Sequence, residues 1–255
     1  MASVTLHTQA DPSALPLVLL APFPCNGRVW ASVAAALGGD VITVDPPGFG
    51  GEPDAAPSLE GYVRALLEAL DARGVGRFVV AGNSMGGYAA MCLAELAPSR
   101  VAGIGLFGTK STADAPEAIA GRLSMAAAVE SGKPLGEVLA PLKEKLLGAS
   151  TRAGRPGVDA ELDALIAATP EGVAWAQRAM AARPDRTDVL AGLGVPAVVV
   201  HGSEDALMGP DTQPMMASAL GVSVIELDAV GHLIPFEAPD AALAALADLW
   251  AACRD

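Results

Sequence analysis

Cysteine is nearly absent: Cys25, Cys92 and Cys253 are the only three in 255 residues. The count is odd and the spacing fits no metal-ligand pattern. Neither a disulfide framework nor a metal site is expected, and a reducing, cytoplasmic setting is the default. Histidine is equally scarce, with His7, His201 and His232 alone available for any imidazole chemistry. Basic residues number 16 against 29 acidic ones, a net charge of −13. A surface of that sign repels nucleic acid and anionic membranes, so neither is expected as a partner. No apolar run is long enough to cross a bilayer. The opening residues carry no basic leader, and Pro16, Pro22 and Pro24 interrupt their apolar stretch, so no signal peptide is expected.

What the chain does have is apolar mass. Hydrophobic residues make up 52% and charged residues 18%, enough for a large buried core. Short apolar runs at 17–20, 41–44, 78–81, 101–107, 197–201 and 222–227 read as strands. Most are apolar throughout, the mark of a parallel sheet covered on both faces. Helical spacing fills 59–73, with Ser58 as N-cap and Gly74 as stop, and 240–253 closes the chain. This alternation predicts an α/β fold, a mostly parallel, doubly wound sheet. Residues 110–188 break the rhythm with helical pieces at 116–129, 135–147, 159–168 and 171–182. They are expected to form a helical lid inserted between two sheet strands, with 1–109 and 189–255 as the core.

One segment carries chemistry. In Gly82-Asn83-Ser84-Met85-Gly86, a G-x-S-x-G pattern falls between a predicted strand and a predicted helix, the context of a nucleophile elbow. Ser84 is the candidate nucleophile. A serine hydroxyl needs a base near neutral pKa, and the base needs an orienting acid. His232 lies in the loop after the last strand, where sites form in open parallel sheets, and Gly231 before it permits a sharp turn. His7 lies far from any such loop. His201 ends an apolar strand and reads as a packed, hydrogen-bonded strand residue. The acid is expected after the strand at 197–201, with Asp205 first choice and Glu204 second. An oxyanion hole needs backbone donors. Met85, following the nucleophile, supplies one. The other comes from Ala21-Pro22-Phe23-Pro24-Cys25, where the prolines have no N–H, leaving Phe23 and Cys25, with Phe23 favoured.

The stretches LVLLAPFP (17–24), DPPGFG (45–50), AGNSMGG (81–87), GSED (202–205) and AVGHLIPFEAPD (229–240) together resemble the α/β-hydrolase superfamily, over essentially the whole chain. The flavour is that of the bacterial esterase, enol-lactonase and non-haem perhydrolase branch. The resemblance implies an α/β-hydrolase fold, a triad of Ser84, Asp205 and His232, and oxyanion N–H groups from Phe23 and Met85. One departure is clear: Ala21-Pro22 stands where the family usually has His-Gly, which puts the geometry of that loop in question. Asp45 resembles a structural turn residue of the family. Cys25 has no base of its own and reads as a small buried apolar group.

The function expected is hydrolysis of a carboxylic ester or lactone through an acyl-enzyme, without cofactor. The same triad also serves carbon–carbon hydrolysis, perhydrolysis, or biosynthetic acyl transfer and cyclisation. A hydrolase fold acting as a non-catalytic ligand-binding protein is the remote alternative. Leu123, Met125, Leu139, Leu142, Trp175 and Met180 are the lid residues expected to face the pocket. With an acidic surface and no paired arginines placed at the pocket, a neutral, fairly hydrophobic small molecule is the expected substrate.

Overall fold

The computed structural model describes residues 4–8, 15–39, 41–50, 53, 56–209 and 211–254. Residues 1–3 and 9–14, part of the stretch inspected for a leader, lie outside the described residues. In chain order the elements are β1 (Thr5–Thr8), β2 (Leu17–Leu20), α1 (Ala31–Leu37), β3 (Val41–Asp45), α2 (Leu59–Asp71), β4 (Phe78–Asn83), α3 (Met85–Leu96) and β5 (Val101–Phe107). Then come α4 (Pro116–Glu130), α5 (Leu135–Leu146), α6 (Ala149–Gly154), α7 (Val158–Leu165), α8 (Pro170–Ala181) and α9 (Thr187–Ala191). The chain finishes with β6 (Ala197–Gly202), α10 (Thr212–Leu220), β7 (Val224–Leu227), α11 (Ile234–Glu237) and α12 (Pro239–Ala252).

The sheet runs β1-β3-β2-β4-β5-β6-β7. Every pairing is parallel except β1 with β3. This is an α/β-hydrolase fold. β2, β4 and β5 are buried along their whole length, which is why their sequences are apolar without alternation. Side chains leave the two faces in turn. Val18 and Leu20 enter the core beneath α2 and α3, and Leu17 and Leu19 enter the core beneath α1 and α12. Burying each such aliphatic side chain contributes about 1.5–3 kcal/mol. α2 begins where expected, with Ser58 Oγ accepting the Gly61 N–H at 3.1 Å. It ends at Asp71, before the turn at Gly74, whose φ is 72°.

Strand β1 has no counterpart in the sequence reading. It is four residues long, sits antiparallel on the edge, and buries only Leu6 among its hydrophobic residues. At the other edge β7 starts at Val224 rather than 222 and is half exposed. Chain order along the sheet reverses between β2 and β4, opening a crevice at their carboxyl ends, the usual ligand position in such sheets. Helices α4 to α9 lie between β5 and β6 in the chain, and α4 packs along α8. No helix among the described residues is long and apolar enough to cross a membrane.

Candidate active site

Between Asn83, the last residue of β4, and Met85, the first of α3, Ser84 makes the whole turn alone. Its φ of 52° and ψ of −114° are a conformation that costs a non-glycine residue about 1–3 kcal/mol. The surroundings hold it there. Ser84 N–H donates to Phe107 O at 2.9 Å, and the Ser84 carbonyl accepts the Thr109 hydroxyl at 2.8 Å and the Gly87 N–H at 2.9 Å. The turn also needs two missing side chains. A Cβ on Gly82 would lie 2.1 Å from Gly86 C, and one on Gly86 would lie 2.2 Å from Leu20 O. The glycines of the motif therefore permit backbone-to-backbone contact between strand, helix and β2.

Asp205 and His232 arrive on the loops after β6 and β7. Those loops are knitted together: Ser203 N–H donates to Leu227 O at 2.9 Å, Glu204 N–H to Val230 O at 2.8 Å, and Ala229 N–H to Ser203 Oγ at 2.9 Å. The result is a 2.8 Å contact between His232 Nδ1 and Asp205 Oδ2, with both side chains essentially sealed from water. The other carboxylate oxygen, Oδ1, accepts the N–H groups of Leu207 at 2.8 Å and Met208 at 3.0 Å. Burial opposes ionisation of Asp205, but the neighbouring His232 and these backbone donors outweigh it and hold the carboxyl below its ordinary range.

Ser84 and His232 line one cavity of about 420 Å³. No hydrogen bond joins Ser84 Oγ to His232 among the described residues. A nucleophile–base contact of this kind commonly tightens only around substrate. Phe23 lines the same cavity. Cys25 N–H is already spent on Pro22 O at 2.9 Å, whereas the N–H groups of Phe23 and Met85 have no partner among the described residues. The Cys25 thiol is fully buried, which pushes its pKa up to about 12 despite the nearby Arg28, so it is not a thiolate. Two other hollows of about 500 and 490 Å³ touch neither Ser84 nor His232.

The remaining histidines serve elsewhere. His7, on β1, makes a 2.8 Å contact through Nε2 with Asp45 Oδ2, and Asp45 Oδ1 accepts the Gly27 N–H at 2.7 Å. His201 is packed in β6, but its buried Nδ1 has no hydrogen-bond partner, contrary to the expectation of a bonded strand residue. Glu204, the second choice for the acid, is not among the lining residues of this cavity and accepts from the Ser150 N–H and hydroxyl.

Of the six helical residues expected at the pocket, Met125, Leu142 and Met180 line the cavity. Leu123, Leu139 and Trp175 do not. Leu123 is 41% exposed, one step around the helix from the lining position. Leu139 is buried in the main core, and Trp175 packs edge-on against Tyr62 there. The lining face of α4 is Ala118, Gly121, Arg122 and Met125, a helical i, i+3, i+4, i+7 row. Arg122 and Lys145 of α5 add two cations to the lining that the sequence did not point to, although they are not a pair of arginines.

Two further residues escaped the sequence reading. Asn83 Nδ2 donates to Phe107 O at 3.0 Å and to His232 O at 3.1 Å, tying the nucleophile strand to the histidine. Glu237 gathers four donors: Leu233 N–H on Oε1 at 3.0 Å, and Gly148 N–H (2.8 Å), Thr151 hydroxyl (2.7 Å) and Gly231 N–H (3.1 Å) on Oε2. It clamps both sides of His232 to the start of α6. Gly231 was expected to allow a sharp turn. Its actual requirement is close approach, since a Cβ there would lie 2.1 Å from Gly148 N.

Residues 17–246 match the alpha/beta hydrolase family. Among curated proteins, the chain is 36% identical over 149 residues to the lipase LipV of Mycobacterium tuberculosis, covering 58% of this chain and 56% of the lipase. The matched stretch thus spans little more than half of that relative's length. Among solved structures, a thermophilic esterase from Thermogutta terrifontis superposes with a TM-score of 0.91 at 30% identity, covering 99% of this chain and 94% of the esterase. The enol-lactonase of Burkholderia xenovorans LB400 shares the fold, with a TM-score of 0.86 at 23% identity, covering 97% and 96% of the two chains.

Proposed function

The chain belongs to the alpha/beta hydrolase family, and on that premise we propose that it is a serine hydrolase cleaving a carboxylic ester or a lactone. The observation that carries the reading is the sealed 2.8 Å His232–Asp205 pair opening onto the same cavity as a serine held at φ 52°. Similarity to an esterase and a lipase supports the bond type.

In this mechanism Ser84 Oγ attacks the substrate carbonyl carbon as His232 Nε2 removes its proton. Asp205 keeps the ring proton on Nδ1, so that Nε2 is the basic nitrogen, and stabilises the imidazolium that forms. Charge developing on the carbonyl oxygen is met by the N–H groups of Phe23 and Met85, which cost no reorganisation because nothing else engages them. The imidazolium returns its proton to the leaving alkoxide, the C–O bond breaks, and an acyl-Ser84 remains. Water, deprotonated by His232, then attacks the acyl carbon. Collapse of the second tetrahedral intermediate releases the acid and reprotonates Ser84.

Residues 110–188 act as a cap over this chemistry. Residues from α4, α5 and α8 line the wall of the cavity, and Met125, Leu142 and Met180 give it an apolar body suited to a fairly hydrophobic substrate chain. The test is labelling by a fluorophosphonate probe together with turnover of short p-nitrophenyl esters. Ser84→Ala is expected to abolish both. Undiminished ester turnover in that variant overturns the reading.

A further inference from the structure

Resting on that hydrolase reading, we infer that the substrate carries an anionic oxyacid group, a carboxylate, remote from the scissile carbonyl, and that Arg122, Gln177 and Lys145 receive it. The expectation of a neutral substrate came from the acidic surface, the apolar lid and the lack of paired arginines that could be placed at the pocket. The lining of the Ser84 cavity contains Arg122 and Lys145 and no aspartate or glutamate. In a chain of net charge −13 that is a local reversal of sign.

The positive charge is not cancelled from behind. Among the described residues, Asp114, whose side chain is 2% exposed, is the only carboxylate bonded to Arg122, and it is shared. Arg183 grips it through both Nη atoms at 2.7 and 3.0 Å, Lys110 Nζ lies at 2.9 Å, and Arg122 Nε at 2.6 Å. Three cations share this one carboxylate, so Asp114 does not neutralise Arg122 alone. Asp114 and Gln177 also fix how Arg122 is presented. With Nε on Asp114 and Nη1 on Gln177 Oε1 at 3.3 Å and Met180 Sδ at 3.3 Å, Nη2 is left without a partner among the described residues. Because Gln177 Oε1 accepts from Arg122, its amide Nε2 is also left to donate. Lys145 Nζ, three residues from the lining Leu142 on α5, makes no ion pair among the described residues. A guanidinium edge, an amide N–H and an ammonium present donors to the cavity, which match an oxyanion, whereas a neutral alkyl tail offers them no acceptor. In a chain of net charge −13, this cationic lining draws an anion toward the nucleophile.

The experiment compares methyl hexanoate with monomethyl adipate, matched in length and differing in the terminal carboxylate. The readout is the ratio of kcat/KM for the two esters within each protein, so any loss of folded enzyme cancels. The wild type is expected to favour monomethyl adipate by about tenfold or more, the scale of a charge-assisted hydrogen bond, with the preference shrinking in high salt. Lys145→Met, at an exposed residue with no partner to lose among the described residues, and Arg122→Met are each expected to lower the ratio by about tenfold, chiefly through KM. Adipate is expected to compete better than inorganic phosphate; the reverse order overturns the assignment to a carboxylate. A wild-type ratio near one, or a ratio unmoved in both variants, overturns the inference while leaving ester hydrolysis standing. Failure to turn over either ester, with Ser84 unlabelled by a fluorophosphonate, overturns the hydrolase reading and the inference with it.

Discussion

Replacing Asp205 by asparagine preserves the shape of the side chain, and the consequence follows from which atoms can sit where. The Oδ1 position faces two N–H donors, from Leu207 and Met208, so only an oxygen can occupy it. The asparagine amide nitrogen must then take the Oδ2 position, 2.8 Å from His232 Nδ1. A donor at that place obliges Nδ1 to accept, and the ring proton moves to Nε2. Nε2 then faces Ser84 as a donor and cannot take its proton. The loss expected from a trapped tautomer is about 10⁴ in kcat, which corresponds to roughly 5 kcal/mol of transition-state stabilisation. Stability should change little, because both backbone bonds to Oδ1 survive. The assay is kcat on a short p-nitrophenyl ester, with the thermal midpoint measured on the same preparation. A folded Asp205→Asn enzyme with kcat within tenfold of wild type would refute the reasoning, since it would mean that the 2.8 Å contact does not set the tautomer.

Asp114 gives a pH signature. Burial raises its pKa, but Arg183, Arg122 and Lys110 overcome that and hold the folded carboxyl below its unfolded value. Its contribution is therefore complete above the unfolded pKa of a carboxylate and is lost as pH falls through the lower, folded one. Asp114→Asn is expected to cost about 3–5 kcal/mol at neutral pH by leaving the buried Arg183 uncompensated, and to flatten the acid limb of the stability curve; denaturant melts between neutral and acidic pH check both. Glu237→Gln offers one oxygen where four donors now share two, so it should lower both thermal midpoint and kcat, by about 1.5–3 kcal/mol in stability; an unchanged kcat would show that the clamp does not position His232. Gly86→Ala puts a Cβ 2.2 Å from Leu20 O, and is expected to give insoluble protein or a collapsed midpoint on expression.

The fold was legible wherever burial is continuous. β2, β3, β4, β5 and β6 are apolar runs because both faces of the sheet are covered, and α2, one of the helices that cover them, keeps a clear apolar stripe. β1 was not, because four residues on an edge bury too little to leave a pattern. At the site, Ser84 could be singled out because its turn is local and needs Gly82 and Gly86 within two residues. Asp205 and His232 could be picked only by counting strands, since a loop acid or a loop histidine has no pattern of its own. The cations of the cavity were missed for a different reason. Pocket residues were sought as large apolar side chains, whereas α4 presents alanine, glycine, arginine and methionine on the face that matters. Glu237 was missed because its partners are mostly backbone N–H groups from two separate segments, and a backbone donor has no letter in the sequence.

The meeting of Gly148 with Gly231 has a bearing on how this enzyme can be re-engineered. At that spot the helical segment 110–188, which we propose to be a cap, and the histidine loop touch main chain to main chain, with one carboxylate stapling them together. A segment transplanted there from a relative would therefore have to bring a glycine at position 148 and a hydroxyl at 151, or it would shift His232, the proposed base, while leaving Ser84, Asp205 and His232 all present in the sequence. Shuffling libraries that cut the chain at the ends of the cap and ignore this third anchor should return well-folded but inactive chimeras. Freedom to vary the roof lies instead in α4, whose inner row meets the substrate cavity.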